Sequence, residues 1–236
     1  MPITRRTFLQ STTATAASSA ASQPLNVIII GGHPGDPECG CAGTAARYVA
    51  LGHHVALLYL NRGEGYCGPN PLDRCAGIRT AEAKSACASL RAKPVFAAQH
   101  DGQAIVDNPH YDAFSQLLAA ESPDVVFTHW PIDLHRDHRA ASALTLDAWI
   151  KFKNKFALYY YEVADDTLSY PTPTDYVDIS PVEALRHAAC YAHASQQPEK
   201  WYPKQVDITR ARGAASGHTQ AEAFVRHAGS KAAFLP

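Results

Sequence analysis

Short apolar runs alternate along this chain with segments of helical length and period, and that alternation restricts the fold more than any other feature. Residues 25–30, 53–60, 94–98, 124–129 and 155–163 read as strands, rich in Val, Ile, Leu and aromatic residues. Residues 40–51, 74–90, 109–120, 137–151, 181–196 and 209–227 read as helices, the first closed by Gly52. Strands separated by helices of ten or more residues require crossover connections, which are right-handed. The predicted fold class is therefore α/β: a doubly wound, mainly parallel, Rossmann-like sheet with helices on both faces. At 236 residues the chain suits one domain with a sizeable core, and no internal repeat or linker divides it.

Two polar clusters stand at the carboxyl ends of predicted strands, where open α/β sheets place their sites. The first is Gly-Gly-His33-Pro-Gly-Asp36-Pro-Glu38, continuing to Thr44; the second runs from His129 through Asp133 to His135-Arg-Asp-His138. Both lie on one edge of the sheet and are able to converge. His33 and Asp36, three apart on a tight turn, can face one point, and a histidine of the second loop would complete a His2Asp set for zinc. His135 and His138 are about one helical turn apart, so one can bind metal while the other faces substrate, with Asp137 available to orient a ring. The plainer alternative is a Gly/Pro-rich turn whose acids cap helices. The presence of both clusters favours the metal.

Charges nearly cancel, at a net of −1, and no basic block appears, which removes nucleic acid and anionic membranes as expected partners. No segment is long and apolar enough for stable membrane insertion. Residues 1–22 read as a twin-arginine export signal, with Arg5-Arg6 and Phe8-Leu9 before an Ala/Ser/Thr stretch ending in small residues. The mature domain is then 23–236, periplasmic or extracellular. Cys67 and Cys75 share one Gly/Pro-rich loop and are able to pair after export, whereas Cys39, Cys87 and Cys190 sit among apolar residues as buried thiols. Nothing in the sequence sets the oligomeric state.

Taken together these motifs resemble the LmbE-like or PIG-L-type N-deacetylases, zinc-dependent hydrolases acting on N-acetylglucosamine conjugates. His33-Pro-Gly-Asp36 with Gly40-Cys-Ala-Gly-Thr44 follows the family's first motif, and His135–Arg139 its second. Arg62-Gly-Glu64-Gly, Arg79 with Glu82, Tyr160-Tyr-Glu-Val163, His193-Ala-Ser-Gln196 and Ala221-Glu-Ala-Phe224 match in order, so the resemblance spans residues 25–227. It implies that His33, Asp36 and His138 are zinc ligands, that His135 stabilises the tetrahedral intermediate or protonates the amine, and that Asp137 orients His135. It implies further that Arg79 contacts a small carbohydrate substrate and that His193 borders the pocket; a surface pair with Glu82 and a helix-end packing role are their plainer readings.

The chain departs from the family at Gly35, where relatives carry the aspartate that acts as general base. Losing such a base costs about 10²–10⁴ in rate. Glu38, on the same turn, is the expected substitute; its alternative is a first-turn helix carboxylate. Three functions follow. The first is a zinc-dependent hydrolase that removes an acetyl group from an N-acetylated amino sugar by attack of zinc-bound water on the amide carbonyl. The second is a hydrolase of another amide or ester. The third is a carbohydrate-binding protein with weak or lost catalysis, against which retention of His135 and Asp137 argues.

Overall fold

The computed structural model describes residues 23–236 apart from position 165. The proposed export signal lies outside the described residues. Five strands run parallel: β1 (Asn26–Gly31), β2 (His54–Tyr59), β3 (Lys93–Phe96), β4 (Val125–His129) and β5 (Ala157–Tyr161). Two more, β6 (Asp175–Asp178) and β7 (Ala221–Arg226), complete a seven-stranded sheet of order β3-β2-β1-β4-β5-β7-β6, with β7 antiparallel to both neighbours. The sheet is mostly parallel, as expected.

The helices are α1 (Asp36–Ala50), α2 (Leu72–Leu90), α3 (Asn108–Ala120), α4 (Arg136–Lys151), α5 (Glu183–Tyr191) and α6 (Pro198–Ser216). Strand alternation sorts the core into two layers. Val27 and Ile29 of β1 pack with residues of α1, α2 and α5 on one face; Ile28 and Ile30 pack with α3 and α4 on the other. Because β1 is buried on both faces, it reads as an unbroken apolar run.

The sheet reverses its winding between β1 and β4, which are adjacent although far apart in sequence. From β1 the chain leaves through α1 on one face, and from β4 through α4 on the other. The crevice between those two loops is the switch point at which doubly wound sheets bind ligands.

The C-terminal expectations need correction. The helix predicted over residues 209–227 is two elements: α6, which starts at Pro198 and stops at Gly217 with φ 82°, and β7, whose alternating Ala-Glu-Ala-Phe pairs with β5 and β6. The helix predicted over 181–196 is α5 flanked by two short 3₁₀ turns. Cys67 and Cys75 form a disulfide, and Cys39, Cys41, Cys87 and Cys190 are buried thiols.

Candidate active site

The turn after β1 is built by its own polar groups. The His33 amide donates to Asp36 Oδ2 at 2.7 Å, and the Asp36 amide closes back on the His33 carbonyl at 3.2 Å. Gly35 sits at φ 108°, a region that costs an L side chain strain and glycine little. Helix α1 therefore begins at Asp36, four residues before the predicted start, and the Asp36 carboxylate sits on its positive end. Pro37 is compatible with a first helical turn, where no intrahelical amide bond is lost. Gly40 lets the helix lie close on β5, since a Cβ there would run into the Tyr161 ring.

Helix α4 is capped by His135, whose Nδ1 accepts from the Asp137 amide at 3.2 Å. His138 then projects one turn further, its ring centroid 5.0 Å from that of His135. The two loops meet at Asp36. Its Oδ2 lies 3.2 Å from His33 Nδ1, 3.1 Å from His138 Nε2 and 3.3 Å from His129 Nε2. The His33, Asp36 and His138 expected from the sequence are thus brought together. Among the described residues, three overlapping trios are tight enough to hold a metal ion, with donor atoms all within 4.8 Å: His33, His135 and His138; Asp36, His129 and His138; and His33, Asp101 and Asp137.

Carboxylates on the far nitrogens select among these donors. His138 Nδ1 faces Asp133 Oδ1 at 3.0 Å, which leaves Nε2 for a ligand. His33 Nε2 faces Asp137 Oδ2 at 3.1 Å and Asp101 Oδ1 at 3.2 Å, which leaves Nδ1. This is the carboxylate–histidine arrangement that orients metal-binding imidazoles. His129 is differently committed: its Nε2 accepts from the Gly32 amide at 3.0 Å, and its ring stacks on His138 at 3.9 Å.

The charges follow from this packing. Burial lowers the His138 imidazole, but Asp36 and Asp133 outweigh it and raise its pKa to about 9. His33 is likewise pushed down by burial and held well above its ordinary value by Asp36, Asp101 and Asp137. Burial raises Asp36, yet His138 and His33 keep it well below the usual carboxylate range. His129 drops to about 4, through burial first and the neighbouring His138 second. Half-buried His135 is lowered by burial and then by His33 and His138, so it is a neutral imidazole. With Nδ1 accepting from Asp137, the His135 proton sits on Nε2.

A cavity of about 290 Å³ opens beside Asp36 and Gly35. Such a volume is at the small end of ligand pockets, ~300–1,000 Å³. Arg79, Asp166, His193, Gln196 and Trp201 also line it. Arg79 is buried, and its guanidinium donates to the Pro34 carbonyl and, at 3.4 Å, to that of Gly63, so it clamps the His33–Asp36 turn. It does not form the surface pair with Glu82, whose carboxylate instead holds the Ser195 amide and hydroxyl. His193 is fully buried on the cavity wall, with Nε2 3.0 Å from Glu38 Oε1 but off the hydrogen-bond axis, and Nδ1 unpartnered.

Two sequence expectations change. Glu38 has no exposure: Oε2 accepts from the Gly35 amide at 3.1 Å and Oε1 from the Tyr59 hydroxyl at 2.7 Å. The carboxylate faces inward, so its expected part as substitute base becomes that of a cap. Asp137 positions His135 through its amide, while its carboxylate serves His33 and also accepts from Asn61 Nδ2 and the Gly102 amide. Sequence reasoning missed His129, Asp133 and Asp101. His129 and Asp133 stand in the quoted second cluster and were recoverable from it; Asp101 comes from the loop after β3, where nothing local marks it.

The family profile described as "PIG-L: GlcNAc-PI de-N-acetylase" matches residues 28–149, more than half of the chain. The chain belongs to the PIG-L family. Its LmbE-like fold also appears in solved structures. The conserved protein TT1542 from Thermus thermophilus is 27% identical with a TM-score of 0.75, covering 90% of this chain and 98% of that one. The N,N'-diacetylchitobiose deacetylase from Pyrococcus horikoshii, complexed with its inhibitor MPG, is 23% identical with a TM-score of 0.75, covering 85% and 83%. GalB, the 4-carboxy-2-hydroxymuconate hydratase from Pseudomonas putida, is 18% identical with a TM-score of 0.76, covering 89% and 99%. Nothing among curated proteins matches the chain at a significant level. A deacetylase and a hydratase on one fold mean that this PIG-L member's chemistry has to be argued from its site.

Proposed function

We propose that this PIG-L member is a zinc-dependent hydrolase that removes an acetyl group from an N-acetylated amino sugar. The observation that carries the reading is Asp36 Oδ2, set 3.2 Å from His33 Nδ1 and 3.1 Å from His138 Nε2 at the cavity wall. Two imidazole nitrogens and one carboxylate oxygen suit zinc and leave a coordination position open. Zinc bound by them supplies Lewis acidity toward a carbonyl oxygen and lowers the pKa of a bound water to about 7.

The remaining work falls to the chain. Neutral His135 has its proton on Nε2, where it can donate to the oxygen that gains charge as the amide carbonyl is attacked. Asp137 sets that tautomer through its amide. Asp133, Asp137 and Asp101 hold the far nitrogens of His138 and His33, fixing which nitrogen of each ring faces the ion. Arg79 and His193 border the cavity that would receive the sugar, Arg79 by holding the His33–Asp36 turn in place. Gly35 favours a second reading, a carbohydrate-binding protein with weak or lost catalysis, because it offers no proton acceptor. Export by the twin-arginine route, to the periplasm or beyond, is supported by the Arg-Arg segment and by the Cys67–Cys75 disulfide, a bond of oxidising compartments.

The experiment is His135→Ala in the zinc-loaded protein. Acetate release should fall by about 10²–10³ with zinc content unchanged, the loss expected for one oxyanion donor. Undiminished acetate release would remove His135 from the reaction, and no release by the unaltered chain would favour the binding reading.

A further inference from the structure

Hydrolysis of an amide needs a group to accept a proton from the attacking water and pass it to the leaving nitrogen. Five carboxylates near the site are committed elsewhere. Asp36 is the hub of the histidines; Asp101, Asp133 and Asp137 hold His33 and His138; Glu38 faces inward beneath Gly35. Among the described residues, one carboxylate on the cavity wall remains. Asp166 is half-buried, and its side chain has no hydrogen bond or ion pair to any described residue.

Its backbone is held in place. The Leu134 amide donates to the Asp166 carbonyl at 2.7 Å, and the Leu168 amide to the Ile132 carbonyl at 3.0 Å, with the Asp133–Thr167 bridge between them. Thr167 Oγ1 accepts from the Val163 amide at 2.8 Å, which tightens the turn. The segment carrying Asp166 is thus laced to the loop that delivers Asp133 and His135, a preorganised position of the kind that proton transfer requires.

We infer that Asp166 is the proton-transfer residue of this site, doing from the wall of the same cavity what Gly35 is unable to do. Resting on the deacetylase reading, the step balances as follows. The Asp166 carboxylate takes one proton of the attacking water as its oxygen bonds to the acetyl carbon. The C–N bond then breaks, the Asp166 proton passes to the amine nitrogen, and the free amino sugar leaves with acetic acid, which gives up its remaining proton to solvent as acetate. Burial raises the Asp166 carboxyl; His138 and His33 pull it down, and Asp36 and Asp133 push it up, with a net rise toward the range useful for proton transfer.

The test compares Asp166→Asn and Asp166→Glu with the unaltered chain, on an N-acetylglucosamine compound and in calorimetric Zn²⁺ titration of the metal-free protein. Asp166→Asn should lower kcat by about 10²-fold or more, the weight of a general base. KM should stay within about threefold, and one zinc should bind with Kd within about fivefold, because neither sugar contact nor metal binding is removed. Asp166→Glu should recover part of the rate. Retained kcat in Asp166→Asn, a rise in KM alone, or loss of zinc binding each overturns the inference, the last two by making Asp166 a sugar contact or a ligand. Absence of acetate release from the unaltered chain overturns the deacetylase reading, and this inference with it, so the two failures are told apart by which protein is inactive.

Discussion

Glu38 is the residue whose two possible roles diverge most sharply under substitution. Its buried carboxylate accepts from the Gly35 amide at 3.1 Å and the Tyr59 hydroxyl at 2.7 Å, and sits 3.0 Å from His193 Nε2. Glu38→Ala takes the acceptor from two of these groups, the Gly35 amide and the Tyr59 hydroxyl; His193 Nε2 has no hydrogen bond to lose. At about 1–3 kcal/mol for each buried group left unsatisfied, the loss should be about 2–6 kcal/mol. Glu38→Gln keeps one acceptor and lets the Tyr59 hydroxyl reverse its role, so about 1–2 kcal/mol should be lost. Because no Glu38 atom faces the cavity, kcat of Glu38→Gln should stay within about threefold, whereas loss of a general base would cost about 10²–10⁴. Urea unfolding and initial rates of acetate release on the zinc-loaded proteins measure both quantities. A hundredfold loss of kcat in Glu38→Gln with unchanged stability would refute the capping assignment and restore Glu38 as the base.

Two further outcomes follow from the geometry. In the metal-free chain the raised His138 contributes stability that is complete below the ordinary imidazole pKa of about 6.5 and is lost as pH rises through about 9; raised His33 acts in the same sense. Depressed Asp36 contributes stability present above the ordinary carboxylate pKa and lost only in acid. Tm measured with chelator should therefore fall between pH 6.5 and 9, and zinc should flatten the fall, since it replaces those protons; a Tm that rises over this window contradicts the assignment. Reducing the Cys67–Cys75 disulfide, which closes a short loop, should cost at most about 2–3 kcal/mol in unfolding free energy and leave zinc binding intact. Loss of zinc on reduction would show that the loop supports the metal ligands.

Much of the fold is legible because a strand buried on both faces has to be apolar throughout: β1, β2, β4 and β5 announce themselves this way. The C-terminal strands do not. β6 is four residues with mixed polarity, and β7 is alanine-rich enough to read as helix until Gly217 and antiparallel pairing with β5 and β6 decide otherwise. In the site, His33, Asp36, His135 and His138 are legible because each pair sits three apart at a strand end, so local geometry converges them. Asp101 and Asp166 are illegible, since each reaches the site from a loop distant in sequence whose composition has no marker. Glu38 misled for a related reason: its place on the turn is visible in sequence, but the direction of its side chain is set by Tyr59 of β2 and by His193 after α5.

The central claim is zinc-dependent deacetylation, and acetate release from short N-acetylglucosamine compounds tests it most directly. The zinc-loaded chain should release acetate and the free amine in equal amounts, stop when a chelator strips the metal, and resume when about one equivalent of Zn²⁺ is restored. Acetate release that persists unchanged in the folded, metal-free protein would contradict the account.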